Sequence, residues 1–350
     1  MSDSIRVAMT LTQDWHKVPG GTAVAANELA AELHAMDGID LVAVLAPGSP
    51  TVGYEPDVPG VRMRPGPPLL YDAWTMLRRP KVTSVVPDAQ VVHSTIPIAV
   101  PRETVPVVSS VHDLLPLTMP EAFTGRGARI MRRGLERIRS ESAMVIVPSE
   151  LGASEFRSHG FDGARLRVVP LGVRPVDPPP GAEVDRVLRG LGLSGPYVLF
   201  VGTEEPRKGL DVLSEAMRRL DRPGLTLAVA GPAGWGESGL DPELGGGGGG
   251  MRMKRLGYLS DFDLRCVRSG AAVCALPSRA EGFGLPALEA LAGGVPLVTT
   301  AGTPMEEVAG SAARLVPAGD SEALAEAIAD VLDDARLAER MTAAGIERAR

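Results

Sequence analysis

The sequence predicts an α/β protein with doubly wound parallel sheets, and three observations support this fold class. Short, nearly continuous apolar runs recur along the 350 residues, as expected for parallel strands that are covered on both faces. Helical patterns lie between these runs, and such strand–helix alternation is typical of doubly wound sheets. The pattern occurs once on each side of a proline-rich stretch, which predicts two Rossmann-like domains with a cleft between them.

The predicted strands are the apolar runs themselves. In the first half of the chain they are IRVAMTL, LVAVLA, AQVVHS, PVVSSVH, AMVIVPS and LRVVPLG. In the second half they are YVLFVG, LTLAVAG, KRLGYL, AAVCALPS, PLVTT and ARLVPA. The clearest predicted helices between these strands cover residues 21–36, 210–220 and 321–334.

The boundary between the predicted domains lies in GVRPVDPPPGAEV, residues 172–184. Its prolines, Pro175 and 178–180, exclude both a helix and a strand ladder. We therefore expect an N-terminal domain over 1–174, a linker over 175–195 and a C-terminal domain over 196–350.

Composition and motifs exclude several function classes. A net charge of −7 argues against general nucleic-acid binding. The first strand is not followed by G-x-G-x-x-G, and there is no G-x-x-x-x-G-K-[ST], which argues against a dehydrogenase and a P-loop phosphotransferase. The spacing of the histidines predicts no metal site.

Three further features indicate a soluble, cytoplasmic protein. The two cysteines make no disulfide framework, which favours a reducing compartment. The first residues, MSDSIRVAMTL, lack the pattern of a signal peptide. No stretch approaches the roughly 18–20 apolar residues that a membrane-spanning helix needs.

Candidate ligand-binding residues follow the strands, because ligands of parallel sheets bind beyond the carboxyl ends of the strands. Gly20 and Gly21 open a long helix, whose bare backbone N–H groups favour an anion; the alternative is a glycine turn without a ligand. His112 follows the strand PVVSSV and is expected to project into the cleft, or to cap local backbone. Arg207 and Lys208 precede a helix, where two cations suit an anionic ligand such as a diphosphate better than they suit the helix dipole.

The stretch EGFGLPALEALAGGVP, residues 281–296, has two glutamates around a helix start. Gly282 and Gly284 let a ligand approach the backbone closely, and Pro286 fits the first turn of a helix. Glu289 follows one turn later in an apolar stretch, where a hydroxyl-rich ligand is a better partner for its carboxylate than the helix end alone. These residues predict a site for a diphosphate with polyhydroxyl groups on either side.

At this point the chain resembles the retaining glycosyltransferases of family four, which have the GT-B fold. EGFGLPALEALAGGVPLVTT matches the E-x7-E signature of that family at Glu281 and Glu289. LFVGTEEPRKGLDVL, VVPLGV, GYLSDFDL and HDLLPLTMPEAF also match family segments, in the expected order. The likeness covers nearly the whole chain and is most specific from Tyr197 to Ala318.

The resemblance implies roles for the catalytic residues. Arg207 and Lys208 would hold the diphosphate of the donor and stabilise the leaving group. Glu281 would bind hydroxyls of the transferred sugar and is not expected to be a covalent nucleophile. His112 would face that sugar from the N-terminal, acceptor-binding domain.

The resemblance also implies a set of donor-binding residues, most of them in the C-terminal domain. Glu289 would accept hydrogen bonds from the nucleotide ribose, and Gly20 and Gly21 would close over phosphate and acceptor. Thr203 stands where many relatives have an arginine, so phosphate binding is expected to depend on Arg207 and Lys208. The transferred sugar would also be bound by the backbone N–H groups of Phe283, Gly284 and Leu285.

The implied activity is transfer of a hexose, with a mannose-type sugar favoured, from a nucleotide diphosphate sugar to a glycan or lipid-linked acceptor. The resemblance implies retention of the anomeric configuration, no metal and no cofactor, with the leaving phosphate taking the proton of the acceptor. The form GTxEPRK favours a GDP-sugar over a UDP-sugar as donor. Relatives usually have a final helix that returns to the N-terminal domain, whereas this sequence ends at GIERAR, which puts domain closure in doubt.

Two alternatives to this activity stay open at this stage. The first is a catalytically inactive subunit that binds a nucleotide sugar, and the second is another GT-B enzyme such as a nucleotide-sugar epimerase. Separately, residues 126–139 include six arginines and form a basic amphipathic helix, which predicts contact with the inner face of a membrane or simply a solvated helix face.

Overall fold

The computed structural model describes residues 4–16, 20–174, 177–234, 238–240 and 252–350. The chain divides into two compact units, Met1–Leu171 and Gly172–Arg350, and each unit contains one parallel sheet with helices on its faces. The predicted fold class, with two doubly wound parallel sheets, is confirmed.

The N-terminal unit has a seven-stranded sheet in the order β3-β2-β1-β4-β5-β6-β7. Its strands are β1 (Ile5–Thr10), β2 (Ile39–Leu45), β3 (Gly60–Arg62), β4 (Val91–Ser94), β5 (Val107–Ser110), β6 (Met144–Val147) and β7 (Leu166–Val168). Its helices are α1 (Gly20–Ala35), α2 (Leu69–Asp72), α3 (Leu115–Thr118), α4 (Gly125–Glu141) and α5 (Glu150–Ser158). A 3₁₀ turn at Thr12–Trp15 follows β1, and a π-helical turn at Ala73–Leu77 continues α2.

The C-terminal unit has a six-stranded sheet in the order β10-β9-β8-β11-β12-β13. Its strands are β8 (Tyr197–Val201), β9 (Thr226–Ala230), β10 (Arg252–Gly257), β11 (Val273–Leu276), β12 (Leu297–Thr300) and β13 (Ala313–Val316). Its helices are α6 (Gly181–Gly190), α7 (Leu210–Leu220), α8 (Asp261–Ser269), α9 (Leu285–Ala292), α10 (Pro304–Ala309), α11 (Ser321–Asp333) and α12 (Ala335–Ala349). A 3₁₀ turn at Pro206–Lys208 lies between β8 and α7.

Each sheet has a position where the strand order reverses, and this position locates the candidate sites. In the N-terminal unit the reversal falls between β1 and β4, and in the C-terminal unit it falls between β8 and β11. In the second sheet Val273 pairs with Val198, and Cys274 pairs with Leu199, so these two strands end side by side. Ligands of open parallel sheets bind at such switch points, beyond the carboxyl ends of the strands.

The central strands are buried on both faces, which explains their continuous apolar sequence. In β8, Val198 and Phe200 belong to one apolar cluster with α7, whereas Tyr197 and Leu199 belong to another with α6 and α8. Successive side chains of a strand point to opposite faces, so a strand between two helical layers needs apolar residues at every position. Each fully buried side chain of this kind contributes about 1.5–3 kcal/mol.

The segment predicted as a linker needs a correction. Residues 175–195 include α6, whose Val184 and Val187 pack in the same cluster as Tyr197 and Leu199 of the C-terminal unit. The prolines that excluded a helix end at Pro180, which is the N-cap of α6 and therefore precedes the helix instead of interrupting it. Short β3 was not predicted, because its three residues, GVR, form no apolar run.

Candidate functional site

The loop after β8 carries the two predicted cations and is held against the end of β11. The 3₁₀ turn at Pro206–Lys208 is followed by Gly209, whose φ of +70° favours glycine. A Cβ at Gly209 would lie 2.1 Å from the carbonyl oxygen of Pro277, so only glycine allows this close approach. The backbone N–H of Arg279 also donates to the carbonyl oxygen of Arg207 at 2.8 Å. The loop after β8 is thereby joined to the loop that contains Glu281.

Glu281 accepts hydrogen bonds from three side chains at this junction. Lys208 Nζ lies 2.6 Å from Oε1, and Ser278 Oγ donates to the same oxygen at 2.7 Å. Arg207 Nη1 donates to Oε2 at 3.2 Å, and Arg207 Nε lies 2.8 Å from a carboxylate oxygen of Glu205. The structure therefore brings Arg207, Lys208 and Glu281 together, as the sequence predicts, and adds Glu205 and Ser278.

The charges of this cluster compensate one another in a mostly buried setting. The side chains of Lys208 and Glu281 are each 10% exposed. Burial acts to raise the pKa of Glu281, but Lys208 and Arg207 together with its hydrogen bonds outweigh burial and hold that pKa below its usual range. Two cations and the carboxylates of Glu205 and Glu281 form a balanced group, which an incoming diphosphate can rearrange by taking over the cations.

Helix α9 begins beside this cluster and leaves its first N–H groups without a side-chain cap. Its N-cap is Gly284, with a φ of +104°, and a Cβ there would lie 2.4 Å from Met305 Cγ. Pro286 lies in the first turn, as predicted. Phe283 is buried, and Leu285 is the first residue of the helix. Uncapped N–H groups at a helix start are suited to an anion or to hydroxyl oxygens.

Glu289 has a protein partner that sequence reasoning missed. The guanidinium of Arg268, from α8, donates through Nη2 to Oε2 of Glu289. The apolar neighbours of Glu289 had suggested a hydroxyl-rich ligand as its partner, but the carboxylate is already compensated by this buried arginine. No periodicity connects positions 268 and 289, because the two side chains come together only after the strands of the sheet have paired.

The other predicted site residues lie at the ends of strands or at the start of a helix: Thr203, Gly20, Gly21 and His112. Thr203 follows Gly202 directly after β8 and is half-buried. Gly20, with a φ of +67°, is the first residue of α1, and Gly21 is exposed. His112 follows β5 and is half-buried, and burial lowers its pKa to about 4, so its ring is neutral at pH 7.

The N-terminal unit also has a buried polar cluster at the end of β1 that was not predicted. Asp14, in the 3₁₀ turn after β1, is fully buried and accepts a hydrogen bond from Asn27 Nδ2 at 3.2 Å. Within the part of the chain that the structure describes, Asp14 Oδ2 and Asn27 Oδ1 have no hydrogen-bond partner. Burial raises the pKa of Asp14 to about 7. The sequence could have pointed to Asp14, because it lies three residues after the predicted strand IRVAMTL.

The predicted basic helix is α4, and its apolar side faces the protein core. Leu135 and Ile138 are buried, and Ile130 and Met131 pack against a core cluster. The arginines on its outer side are exposed at positions 126, 129, 132, 133 and 139. Among the described ranges, no helix combines the length and apolar character that crossing a membrane requires.

A neighbouring segment adds exposed apolar side chains to this basic surface. Leu69, Met76 and Leu77 are 63%, 71% and 72% exposed. The segment lies against α4, because Arg126 pairs with Asp72 and Arg137 Nη1 donates to the carbonyl oxygen of Trp74 at 3.1 Å. We call the three apolar residues together with the exposed arginines of α4 the 69–77/α4 surface.

Two family models match this chain, one in each half. The family described as glycosyl transferases group 1 matches residues 186–348, and the family described as glycosyltransferase family 4 matches residues 19–176. Together they include the loop after β8, the Glu281 cluster, Arg268 and Glu289.

Named relatives are similar over part of the chain. O-antigen chain mannosyltransferase B of Escherichia coli is 30% identical over 249 residues, which are 69% of this chain and 65% of that protein. A phosphatidyl-myo-inositol mannosyltransferase of Mycobacterium leprae is 34% identical over 204 residues, which are 53% of this chain and 52% of that protein. A D-inositol 3-phosphate glycosyltransferase of Mycolicibacterium smegmatis is 33% identical over 66% of this chain and 55% of that protein. The chain thus spans only about half to two thirds of the length of these relatives.

Solved structures resemble the chain over nearly its whole length. The Anabaena protein HepE, solved with UDP and glucose, has a TM-score of 0.73 at 18% identity and covers 99% of this chain and 94% of its own. WaaG, a glycosyltransferase involved in lipopolysaccharide biosynthesis, has a TM-score of 0.71 at 17% identity, over 98% of this chain and 95% of its own. At these identities the likeness shows the fold, which is GT-B. With both family models matched and the E-x7-E residues in place, the chain belongs to the group 1, or family 4, glycosyltransferases.

Proposed function

We propose that this chain transfers a hexose, with a mannose-type sugar favoured, from a nucleotide diphosphate sugar to a glycan or lipid-linked acceptor. The observation that carries the proposal is the cluster of Lys208, Arg207 and Glu281 at the switch point of the C-terminal sheet. Two cations and a hydroxyl-binding carboxylate lie beside the uncapped start of α9, which is the set of groups that a sugar diphosphate requires.

The cations would stabilise the leaving group. As the bond between sugar and diphosphate breaks, negative charge grows on the phosphate oxygen, and preorganised cations at that position lower the barrier. Lys208 and Arg207 are already aligned by Glu281 and Glu205, so little reorganisation is needed when the donor replaces part of this pairing. No metal and no cofactor are needed in this scheme.

Glu281 would bind the transferred sugar and would not act as a nucleophile. Its carboxylate accepts from Lys208, Arg207 and Ser278, and its pKa is low, so its oxygens are weakly basic. Such a carboxylate suits hydrogen bonds from sugar hydroxyls. The anomeric configuration would be retained because the acceptor hydroxyl attacks the anomeric carbon on the face from which the diphosphate leaves. The leaving phosphate oxygen would take the proton of that hydroxyl. His112, neutral at pH 7, would face the transferred sugar from its own unit.

The proposed donor is based on the names of relatives and on one sequence segment, not on the geometry of the site. Two of the named relatives are mannosyltransferases, which favours a mannose-type sugar, and the sequence GTEEPRK favours a GDP-sugar. HepE was solved with UDP and glucose, so a UDP-sugar is the main competitor. The specificity of a sugar pocket depends on contacts of roughly 1–3 kcal/mol each, which makes direct comparison of donors decisive.

The decisive experiment measures acceptor-dependent release of nucleoside diphosphate from GDP-mannose, UDP-glucose and related donors. We expect turnover by the wild-type chain to be unaffected by a chelator and to be abolished in Glu281→Ala and Lys208→Ala. The surface variant Arg314→Met, which removes a pair with Asp330, serves as the control. Full turnover in both site variants would refute the assignment. Binding without turnover over a broad acceptor panel would instead indicate an inactive subunit, and sugar isomerisation without acceptor would indicate an epimerase.

A lipid-linked acceptor would place the chain at the inner, cytoplasmic face of a membrane, and the 69–77/α4 surface is the candidate contact. Because the apolar side of α4 is buried, the arginines would supply charge attraction while Met76 and Leu77 insert. We expect binding to vesicles with phosphatidylglycerol but not to phosphatidylcholine alone. Met76→Asp with Leu77→Asp should abolish this binding, whereas Val52→Asp, at an even more exposed valine, should not. Unchanged binding of the double variant would exclude this surface.

A further inference from the structure

Glu289 lies in a part of α9 where a carboxylate is unfavourable by itself. Its neighbours Ala287, Leu288, Ala290 and Leu291 are all buried in the apolar core. A charged group in such a place needs a compensating partner. Arg268 provides it, because its guanidinium donates from α8 to Oε2 of Glu289.

The pair is asymmetric in its exposure. The side chain of Arg268 is 8% exposed, whereas that of Glu289 is 29% exposed. Among the described residues, the side-chain hydrogen bond to Glu289 reaches Oε2, and no donor is found for Oε1. A surface ion pair between two mobile side chains would not show this pattern. The arginine is the more buried partner, and the hydrogen bond that it donates leaves Oε1 without a protein donor among the described residues.

The charged groups around Glu289 are few. Arg268 and Asp261, both of α8, act on its carboxylate, and the thiol of Cys274 of β11 lies close enough to be affected by it. Helices α10 and α12 also pack against α9, but within the described ranges they contribute no charged group that acts on Glu289. Burial raises the pKa of Glu289, and Arg268 opposes that rise. Arg268 is therefore the one cation among these groups that favours the ionised carboxylate.

We infer that Arg268 is a positioning residue for donor binding, which holds Oε2 of Glu289 and so orients the carboxylate for Oε1 to accept hydrogen bonds from the ribose hydroxyls of the nucleoside diphosphate. This inference rests on the proposed function and adds to it a residue outside the E-x7-E signature. An ionised carboxylate accepts from two hydroxyl groups, whereas a protonated one loses an acceptor site and gains a competing donor. A fixed orientation also reduces the side-chain entropy that is lost when the ribose binds.

The test is calorimetric titration of the full chain with GDP and with UDP at pH 6, 7 and 8. The variants are Arg268→Met, Arg268→Lys, Glu289→Gln and the double variant Arg268→Met with Glu289→Gln, and the control is Arg314→Met. Thermal unfolding is recorded for each protein. The double variant leaves no unpaired charge, so it remains informative if Arg268→Met alone fails to fold.

We expect Arg268→Met to weaken nucleotide binding about tenfold at pH 7, the loss typical of a hydrogen bond to a charged group. Its Kd should improve from pH 6 to pH 8 more steeply than the wild-type Kd, because without the cation Glu289 ionises only at higher pH. Arg268→Lys should stay within about threefold of wild type, and in the Glu289→Gln background the loss of Arg268 should add less than about threefold.

The outcomes separate the two proposals. If the wild type binds nucleotide and Arg268→Met binds equally well, or if the losses from the two single variants simply add without any pH dependence, Arg268 does not position Glu289. If the wild type binds neither nucleoside diphosphate, the proposed function fails and this inference fails with it.

Discussion

In both units the loop that follows the strand at the switch point contains a buried ionisable residue, but the charge of that residue has the opposite sign. We call this loop the corner of each unit. In the N-terminal unit β1 is followed by a 3₁₀ turn at Thr12–Trp15 and then by α1. In the C-terminal unit β8 is followed by a 3₁₀ turn at Pro206–Lys208 and then by α7. A glycine with a positive φ stands at each helix start, Gly20 at +67° and Gly209 at +70°. Each turn contains a buried ionisable residue, Asp14 in the first and Lys208 in the second.

The partners of these buried groups differ. Asp14 receives one hydrogen bond, from the neutral side chain of Asn27, and its pKa rises to about 7. Lys208 faces Glu281 from the next loop, and the pKa of that carboxyl falls although it is also buried. The comparison shows that burial raises the pKa of a carboxyl group, and that cations from a second loop reverse this effect. Among the described residues of the N-terminal unit, no cation acts on Asp14 in this way.

The pH dependence of stability in the N-terminal unit should show the largest effect. The pKa of Asp14 is about 7 in the folded chain and near 3.8 when exposed, so below about pH 4 both states are protonated and ionisation costs nothing. As pH rises to about 7 the unfolded state ionises first, and stability falls by about 4 kcal/mol at about 1.4 kcal/mol per pKa unit. Asp14→Asn should remove this fall, as measured by hydrogen exchange of α1.

Asp211, near the start of α7, is the matched control for that experiment. Its pair with Arg279 lowers its pKa, so any contribution to stability is lost as pH decreases, not as it increases. Asp211→Asn should therefore leave the fall between pH 4 and pH 7 in place. If stability still falls between pH 4 and pH 7 in Asp14→Asn, the buried carboxyl of Asp14 is not the cause of the fall.

The two corner glycines should differ in their tolerance of alanine. At Gly209 a Cβ would meet the backbone of Pro277 at 2.1 Å, whereas at Gly20 no atom of the described residues lies within 4 Å. Both changes carry the cost of a positive φ, about 1 kcal/mol, but Gly209→Ala must also move backbone, for a total of about 3 kcal/mol. Denaturant unfolding measures the difference. Equal losses would mean that the contact with Pro277 does not limit this loop.

Removal of the cation should make the C-terminal corner resemble the N-terminal one. Lys208→Met leaves Glu281 buried, with Arg207 as its one cationic partner among the described residues, which should reduce stability by about 2 kcal/mol and raise the pKa of Glu281. The double variant with Glu281→Gln should recover most of that loss, because no charge is then left unpaired. Hydrogen exchange of α9 measures the free energy of unfolding of the single and the double variant. A double variant less stable than Lys208→Met would show that packing, and not charge, is responsible.

The smallest effect concerns His112. Burial lowers its pKa to about 4, so we expect an NMR titration of its ring to have a midpoint near 4 instead of the ordinary value near 6.5. Its folded state favours the neutral ring, so any contribution to stability is lost only as pH falls from about 6.5 towards 4. A midpoint near 6.5 would show that the ring is in contact with water.

Much of the fold and part of the site could be predicted from sequence. Buried parallel strands need apolar residues on both faces, so their positions are visible in runs such as YVLFVG and LTLAVAG. Arg207, Lys208 and Glu281 could be placed together because residues after neighbouring strands meet at one edge of a sheet. Strand β3 and helix α6 were missed, the first because it is short and the second because its N-cap proline looked like a helix breaker.

The sequence by itself determined the two doubly wound sheets, the family and the residue types at the switch point of the second sheet. The tertiary structure alone decided which charges meet. Arg268 is 21 residues from Glu289, and Lys208 is 73 residues from Glu281. Neither pairing leaves a periodic pattern, because each depends on the paired strands that bring two loops or helices together. Since the interaction between charges depends on separation and burial, only the folded chain determines that the pKa of Glu281 falls and that the pKa of Asp14 rises.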